Sequence, residues 1–374
     1  MILSHLADDL LAGCPLTQAG FLFWVFTPPG ADTWVYGIHA DPDPDVGFVP
    51  DLIRSADAGA TWAEDSGGWP ADYIITTPWV SSNTHAWLAH ANFGTADLEF
   101  WRRDVGGWTL IESLDNSGLI LHGGMVYTTD PDHAWAAYAT GTIGHAVFIG
   151  TWNGSSLEWV DYHDGPDQRV DTIVLRGTAT NLWIALQQNK GTGGDRTNTW
   201  IRQLAGSTPN PDYTDAVLDN VDSACNELYV CPDGSLWGAG WQWQNDAPAR
   251  HAALWRHDGS TGWTVSTPPL PATEATSRFY GVHGTSASDV WAVGYWVDTS
   301  NTTRVLIAHW DGSDWTRVTP SPDYSNAAGV IDPYLVAVQM RAADDGWAVG
   351  AACDRWLSMH WDGSAWTEAP ITGV

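Results

Sequence analysis

The side chains best suited to chemistry sit in a few short runs. Trp241-Gln242-Trp243-Gln244-Asn245-Asp246, with Arg250 just beyond, mixes flat aromatic faces with amide, carboxylate and guanidinium groups. A second run reads Tyr295-Trp296-Val297-Asp298, and a third holds Gln187-Gln188-Asn189-Lys190 followed by Asp195-Arg196. Aromatic faces stack on the C–H surfaces of sugars, and the polar groups bond hydroxyls. The expected ligand-binding set is therefore Trp241, Trp243, Tyr295, Trp296, Arg196, Arg250 and Asp298. The competing reading is that alternate residues from Trp241 onward face a sheet, with Trp buried and Gln exposed.

Asp41, Asp43 and Asp45 are spaced like ligands of a hard cation, and calcium is the ion such oxygens suit. The run lacks the sixth-position Gly and twelfth-position Glu of an EF-hand loop; Leu52 holds that twelfth place. A solvated acidic loop is the alternative. The 13 His show no zinc spacing. His309 and His360 share a repeat position and read as structural, while His39 and His90 follow the second strand of their repeats and are candidates to face a channel. No nucleophile elbow, phosphate loop or dinucleotide fingerprint is present, so no catalytic residue and no organic cofactor are assigned.

Cys225 and Cys231 are near enough to join through a short turn, and Cys14 and Cys353 could pair only if the chain's two ends meet. Buried free thiols are the alternative for all four. Leu11-Ala12-Gly13-Cys14 has the outline of a lipoprotein cleavage box, but no Lys or Arg precedes it and Asp8 and Asp9 break the apolar run. No signal peptide is visible, although an extracellular setting is favoured.

Composition narrows the classes further. There are 37 Asp and 7 Glu against 14 Arg and one Lys, for a net charge of −29. Such a chain opposes nucleic acid, whose binding requires cations to displace counterions. It is also repelled by anionic membranes, and no apolar run is long enough to span a bilayer. An acidic surface with one Lys suits high salt, reflects GC-rich coding, or simply keeps the chain soluble without a specific partner, which is the favoured reading. With 26 Trp, 38 Gly and 21 Pro and few helix formers, the chain reads as all-β.

A repeat must position these runs. A Trp after a short turn recurs at 34, 87, 135, 183, 237, 291 and 347, spaced 53, 48, 48, 54, 54 and 56 residues apart. Each is followed by a strand, a turn rich in Asp and Gly, and in all but the fourth unit a closing Trp, as in HWDGSDW and HWDGSAW. Each unit holds four apolar runs between turn signals, which is a four-stranded meander. Seven such sheets can bury one another's faces around an axis, with the indoles wedged between neighbours. The expected fold is one seven-bladed β-propeller over residues 1–374, with blades near 15–65, 66–112, 113–163, 164–213, 214–268, 269–320 and 321–374. Closure would set the chain's first segment beside the last blade, which is the geometry a Cys14–Cys353 link requires. Loops between second and third strands then share a face with the connections between blades.

Ser55-Ala56-Asp57-Ala58-Gly59-Ala60-Thr61-Trp62 resembles the Asp-box, or bacterial neuraminidase repeat, of sialidase-like propellers. The resemblance implies a hairpin between third and fourth strands, with a structural role opposite the active-site face. It also raises sialidase chemistry, which needs an arginine trio, a Tyr–Glu nucleophile and an acidic Asp. Arg169, Arg196, Arg250, Arg278, Arg304 and Arg355 could supply a trio, but none lies in a motif. The WDGxxW runs are also similar to fucose-binding propeller lectins, although no Arg or Glu recurs here at one repeat position.

Three functions remain in order. The first is a non-catalytic, lectin-like propeller binding a glycan or a protein through its loop face. The second is a sialidase-like glycoside hydrolase or lyase. The third is a structural subunit of an extracellular or viral assembly.

Overall fold

The computed structural model describes residues 21–28, 30, 32–40, 48–65, 76–92, 97–115, 121–140, 146–162, 169–178, 180–189, 197–205, 208–209, 216–217, 223–243, 249–259, 262–320, 333–352 and 355–371. Those residues form strands and turns, with no helix among them. The fold is an all-β, seven-bladed β-propeller built from four-stranded antiparallel meanders.

Blade one comprises Phe21–Phe26, Thr33–Ala40, Phe48–Ser55 and Ala63–Glu64. Blade two comprises Thr76–Val80, Ala86–Asn92, Asp97–Asp104 and Gly107–Leu114, and blade three Leu121–Asp130, His133–Thr140, Ala146–Trp152 and Leu157–Tyr162. Blade four has Arg169–Thr178, Asn181–Asn189, Thr197–Ala205 and Thr208–Pro209, with an extra two-residue strand, Ala216–Val217, on its third strand. Blade five has Ser223–Val230, Leu236–Trp243, Arg250–His257 and Trp263–Ser266. Blade six has Glu274–Ser286, Asp289–Asp298, Thr303–Trp310 and Trp315–Val318, and blade seven Tyr334–Ala342, Asp345–Ala352, Arg355–Trp361 and Trp366–Glu368.

Two compact units contain these blades. Residues 67–225, with 1–4, make one; residues 5–66 and 226–374 make the other. In the first, Trp87 meets Trp152 of the next blade edge-on at 5.0 Å, and Thr77 Oγ1 donates to Gly124 O at 2.8 Å. In the second, blade one packs on blade seven. Arg341 Nη2 donates to Thr33 Oγ1 at 2.7 Å, Trp356 Nε1 donates to Ile38 O at 3.2 Å, and Trp62 stands edge-on to Trp347 at 5.5 Å.

Burial explains why the second strands read as nearly continuous apolar runs. In blade six, residues 290–294 are all buried, because both faces of the strand are covered by neighbouring sheets. Fourth strands return to alternation and exposure, as in Trp315–Val318, where only the Trp is buried. The repeat Trp at 34, 87, 183, 237, 291 and 347 are among the largest fully buried side chains. Each such indole removes on the order of 150–250 Å² from water, which makes it the main apolar contribution of its blade.

The cysteine expectation needs a correction. Cys225 and Cys231 are free and buried. The residues between them are a strand, Ser223–Val230, rather than a turn. Six extended residues span roughly 20 Å, far beyond disulfide reach. Cys14 and Cys353 lie outside the described residues.

Candidate functional site

The loop-side end of blades five and six gathers most of the candidate residues that the structure describes. Trp241 and Trp243 end the second strand of blade five, and Arg250 begins its third. Antiparallel register pairs Trp243 with Arg250 and Trp241 with Ala252. Arg250 therefore lies diagonal to Trp241 on the same face, and its guanidinium sits 4.6 Å from that indole's centre. Arg278, from the first strand of blade six, reaches the same indole at 5.6 Å. Tyr295 is the cross-strand partner of Arg278.

Trp296 repeats the arrangement in blade six. Arg304, its cross-strand partner, and Arg317, from the fourth strand, each lie 5.6 Å from the Trp296 ring centre. The two indoles are joined through a short path. Trp241 pairs with Ala252, Ala252 N donates to Ser277 Oγ at 2.8 Å, and Ser277 pairs with Trp296. Thr276 Oγ1 donates to Arg250 O at 2.8 Å, which ties the first strand of blade six to the third of blade five.

These positions revise the stacking expectation. Trp241 is 5% exposed and Trp296 is 4% exposed. Neither offers a free face to a ligand; both are floors on which arginines rest. Trp243 and Tyr295 are half-buried. Trp241 thus follows the competing reading of alternation, and Gln242 is half-buried. Asp298 is also committed locally. Its Oδ1 accepts from Ser300 N at 2.8 Å and Thr302 N at 3.0 Å, and Arg304 lies 3.9 Å from Oδ2. The Thr302 amide bond leads the set of contacts that hold this carboxyl below the usual range. Asp298 therefore fixes the rim turn, which stays tight through Asn301 at φ +60°.

Three residues here escaped sequence reasoning. His251 Nδ1 lies 3.0 Å from Glu274 Oε2, an oriented imidazole–carboxylate pair across the same blade junction. Arg317, on the fourth strand of blade six, lies in none of the candidate runs. A faint signal existed for His251, since it follows Arg250 directly after the loop.

The remaining candidates lie elsewhere. Arg196 and the Asp41, Asp43 and Asp45 run lie outside the described residues, as do Lys190 and the side chain of His39. Among the described residues no group of three or more His, Cys, Asp or Glu is arranged to hold a metal ion. His90 is 1% exposed within its strand, so it does not open onto a channel.

On the opposite side of the blades the repeat builds supports. His309 Nε2 is 2.7 Å from Asp289 Oδ1 and its ring stacks on Trp291 at 4.1 Å. His360 repeats this with Asp345 at 2.9 Å and Trp347 at 4.7 Å. The Ser55–Trp62 turn is closed by its own side chains. Asp57 Oδ1 accepts from Thr61 N at 2.8 Å, Oδ2 accepts from Thr61 Oγ1 at 2.7 Å, and Gly59 N donates to Ser55 Oγ at 2.7 Å.

No family model matches the chain. No curated protein matches it either. Solved structures do match, at low identity. An ulvan lyase of a polysaccharide lyase family, bound to a GlcA(1-4)Rha3S unit, aligns with a TM-score of 0.61 at 10% identity, covering 94% of this chain and 97% of that one. The β-propeller domain of the trilobed protease from Pyrococcus furiosus aligns with 0.53 at 9% identity, covering 93% and 98%. Hydrazine synthase from Kuenenia stuttgartiensis aligns with 0.52 at 11% identity, covering 87% and 92%. Neighbours so different in their chemistry share a fold with this chain and nothing finer.

Proposed function

We propose that this chain is a recognition propeller that binds a glycan or a protein partner on the loop side of blades five and six, without catalysing a reaction. The observation that carries the reading is the set of accessible and polar groups fixed there on buried indoles. Trp243 and Tyr295 are the cross-strand partners of Arg250 and Arg278, and both arginines rest on Trp241. Rigid aromatic platforms beside pre-positioned donors lower the entropy a ligand must lose. The ulvan lyase shares the fold and carries a sugar unit, which supports a glycan as the partner to try first.

A glycan array run beside native mass measurement tests it. Trp243→Ala and Tyr295→Ala are expected to weaken retention about tenfold each, since aromatic contacts of this kind anchor binding. If the chain retains no glycan and pulls down no partner that these variants release, the reading is wrong.

A hydrolase or lyase is the second reading, favoured by one feature. Glu274 holds the His251 imidazole in a fixed orientation at the junction of blades five and six. An imidazole oriented by a carboxylate is a group that proton abstraction can use. New reducing ends or unsaturated products from polysaccharides, abolished by His251→Ala, would replace the first reading with this one.

A further inference from the structure

We propose that the outer edge of blade two, the strand Gly107–Leu114, is a docking site for an extended, positively charged segment of another protein, which joins the blade as a fifth strand. The site uses no residue of the face at blades five and six. Strand order puts Gly107–Leu114 at the edge of its sheet. It is bonded to Asp97–Asp104 on one side and, among the described residues, to no strand on the other. Such an edge carries a row of outward N–H and C=O groups with which a second chain can pair. Length sets this edge apart. It runs for eight residues, whereas the fourth strands of the other blades run from two to six.

Edges are normally guarded by brevity, Pro or charge. Leu157–Tyr162, the next longest, exposes Glu158 and Asp161; Trp315–Val318 exposes Arg317, and Thr208–Pro209 ends in Pro. Gly107–Leu114 contains no Pro, Lys, Arg or Asp. Its one charged side chain, Glu112, is turned to blade three, where Oε2 accepts from Trp159 Nε1 at 2.9 Å. What the strand exposes instead is Thr109, Leu110 and Ser113. Three large apolar side chains among the described residues are exposed, and two belong to this edge: Leu110 at 42%, and Val105 at 85% in the turn that leads into the strand. The ladder with Asp97–Asp104 skips Ile111, which has no partner between Leu110 and Glu112. That bulge bends the strand and leaves Gly107–Leu110 as the straight stretch on which pairing starts.

Charge and area decide the occupant. A second copy brings another −29, and two such bodies repel each other. A strand of this length spans roughly 27 Å, and so narrow a strip buries less than the roughly 1,000 Å² that two folded bodies need to stay together. An extended segment needs less area, because its main chain pairs directly with the edge and its alternate side chains supply the selection. Positive charge on that segment is drawn in by the field of the whole chain. The fitting strand sets an apolar side chain beside Leu110 and keeps Lys or Arg toward its ends.

A labelled, end-capped peptide, Lys-Val-Thr-Val-Thr-Val-Lys, tests the proposal against the full chain at low salt. Saturable binding by fluorescence anisotropy is expected, together with slowed hydrogen exchange in the strand Gly107–Leu114. Pro in place of the central Val removes a donor and blocks the ladder, so it should weaken binding at least about tenfold. Leu110→Lys, an exposed change that guards the edge, should do the same. Should Leu110→Lys unsettle the blade, Val105→Lys, at the more exposed position, gives the same repulsion with a smaller loss. Trp243→Ala should leave the peptide's binding unchanged, which keeps this outcome apart from that of the blade five and six face. No saturable binding, or binding that Leu110→Lys leaves intact, would overturn the proposal. Equal binding of the peptide with Glu in place of Lys would overturn the positive partner. A dimer of the chain that Leu110→Lys dissolves would overturn it in favour of a second copy.

Discussion

Gly59 shows how much a single residue of the first turn is asked to do. Its φ is +90°, and a Cβ added there would collide with Cη2 and Cζ2 of Trp347 in the seventh blade. Trp347 is 1% exposed and has no room to retreat. Gly59→Ala is therefore expected to cost more than about 2 kcal/mol in urea unfolding, from strain and overpacking together. Gly30 is the control. Its φ is +69° but nothing lies within 4 Å of an added Cβ, so Gly30→Ala should cost only the backbone term, about 1–2 kcal/mol. The turn aspartates make a second claim at this scale. The Asp314 amide leads the bonds that pull Asp311 down to about 2, and the Ser364 hydroxyl leads those that bring Asp362 to about 2. Asp289 is pushed up by burial, yet bonds from His309 and Thr285 outweigh that and leave it below the usual range. A carboxyl whose pKa is lower when folded contributes stability above the unfolded pKa of about 4, and that stability fades as pH falls through the folded value. Urea midpoints should thus drop between pH 4 and pH 2. The Asp311→Ala, Asp362→Ala double variant should start lower and lose less over that window. An identical drop in both proteins would show that these turns are not responsible.

At the scale of strands and blades, the cysteines supply the prediction. Burial pushes the Cys231 thiol up to about 11, and Cys225 is equally enclosed. Thiolates do the reacting, so both should resist alkylation in the folded chain and label fully in denaturant, as peptide mapping can show. Fast labelling of the native protein would mean that the first strand of blade five opens locally. This strand also shows where sequence was a poor guide. A six-residue gap between cysteines suggests a turn only if the chain reverses, and the residues Asn226 to Val230 carry no turn signal. The blades themselves were legible because the indole that follows each first turn is large, buried and regularly spaced. The residue opposite that indole was legible only at His309 and His360, since the loop between second and third strands varies in length. Register places Arg54, Arg102, Arg256, His309 and His360 across from the Trp at 34, 87, 237, 291 and 347. Four of these become visible when counted backwards, two residues before the turn Asp at 104, 258, 311 and 362. The site was half-legible for a related reason. Trp241 and Trp296 were found by type, but burial depends on which face packs against the next blade, and alternation alone leaves that choice open.

At the scale of the whole molecule, net charge makes the stability of the fold depend on salt. A chain with 44 acidic and 15 basic residues repels itself when compact. The ion pairs among the described residues are mostly half-buried, such as His309 with Asp289 at 2.7 Å and Arg341 with Asp345 at 3.1 Å, and pairs that keep this much contact with water offset little of that repulsion. Screening length falls from about 30 Å at 0.01 M salt to about 3 Å at 1 M, so added salt removes repulsion faster than it weakens attraction. The unfolding temperature should therefore climb steadily with sodium chloride between those concentrations. An unfolding temperature that stays flat across that range would mean that the acidic groups are too far apart to repel one another, and the charge asymmetry would then carry no cost in the fold.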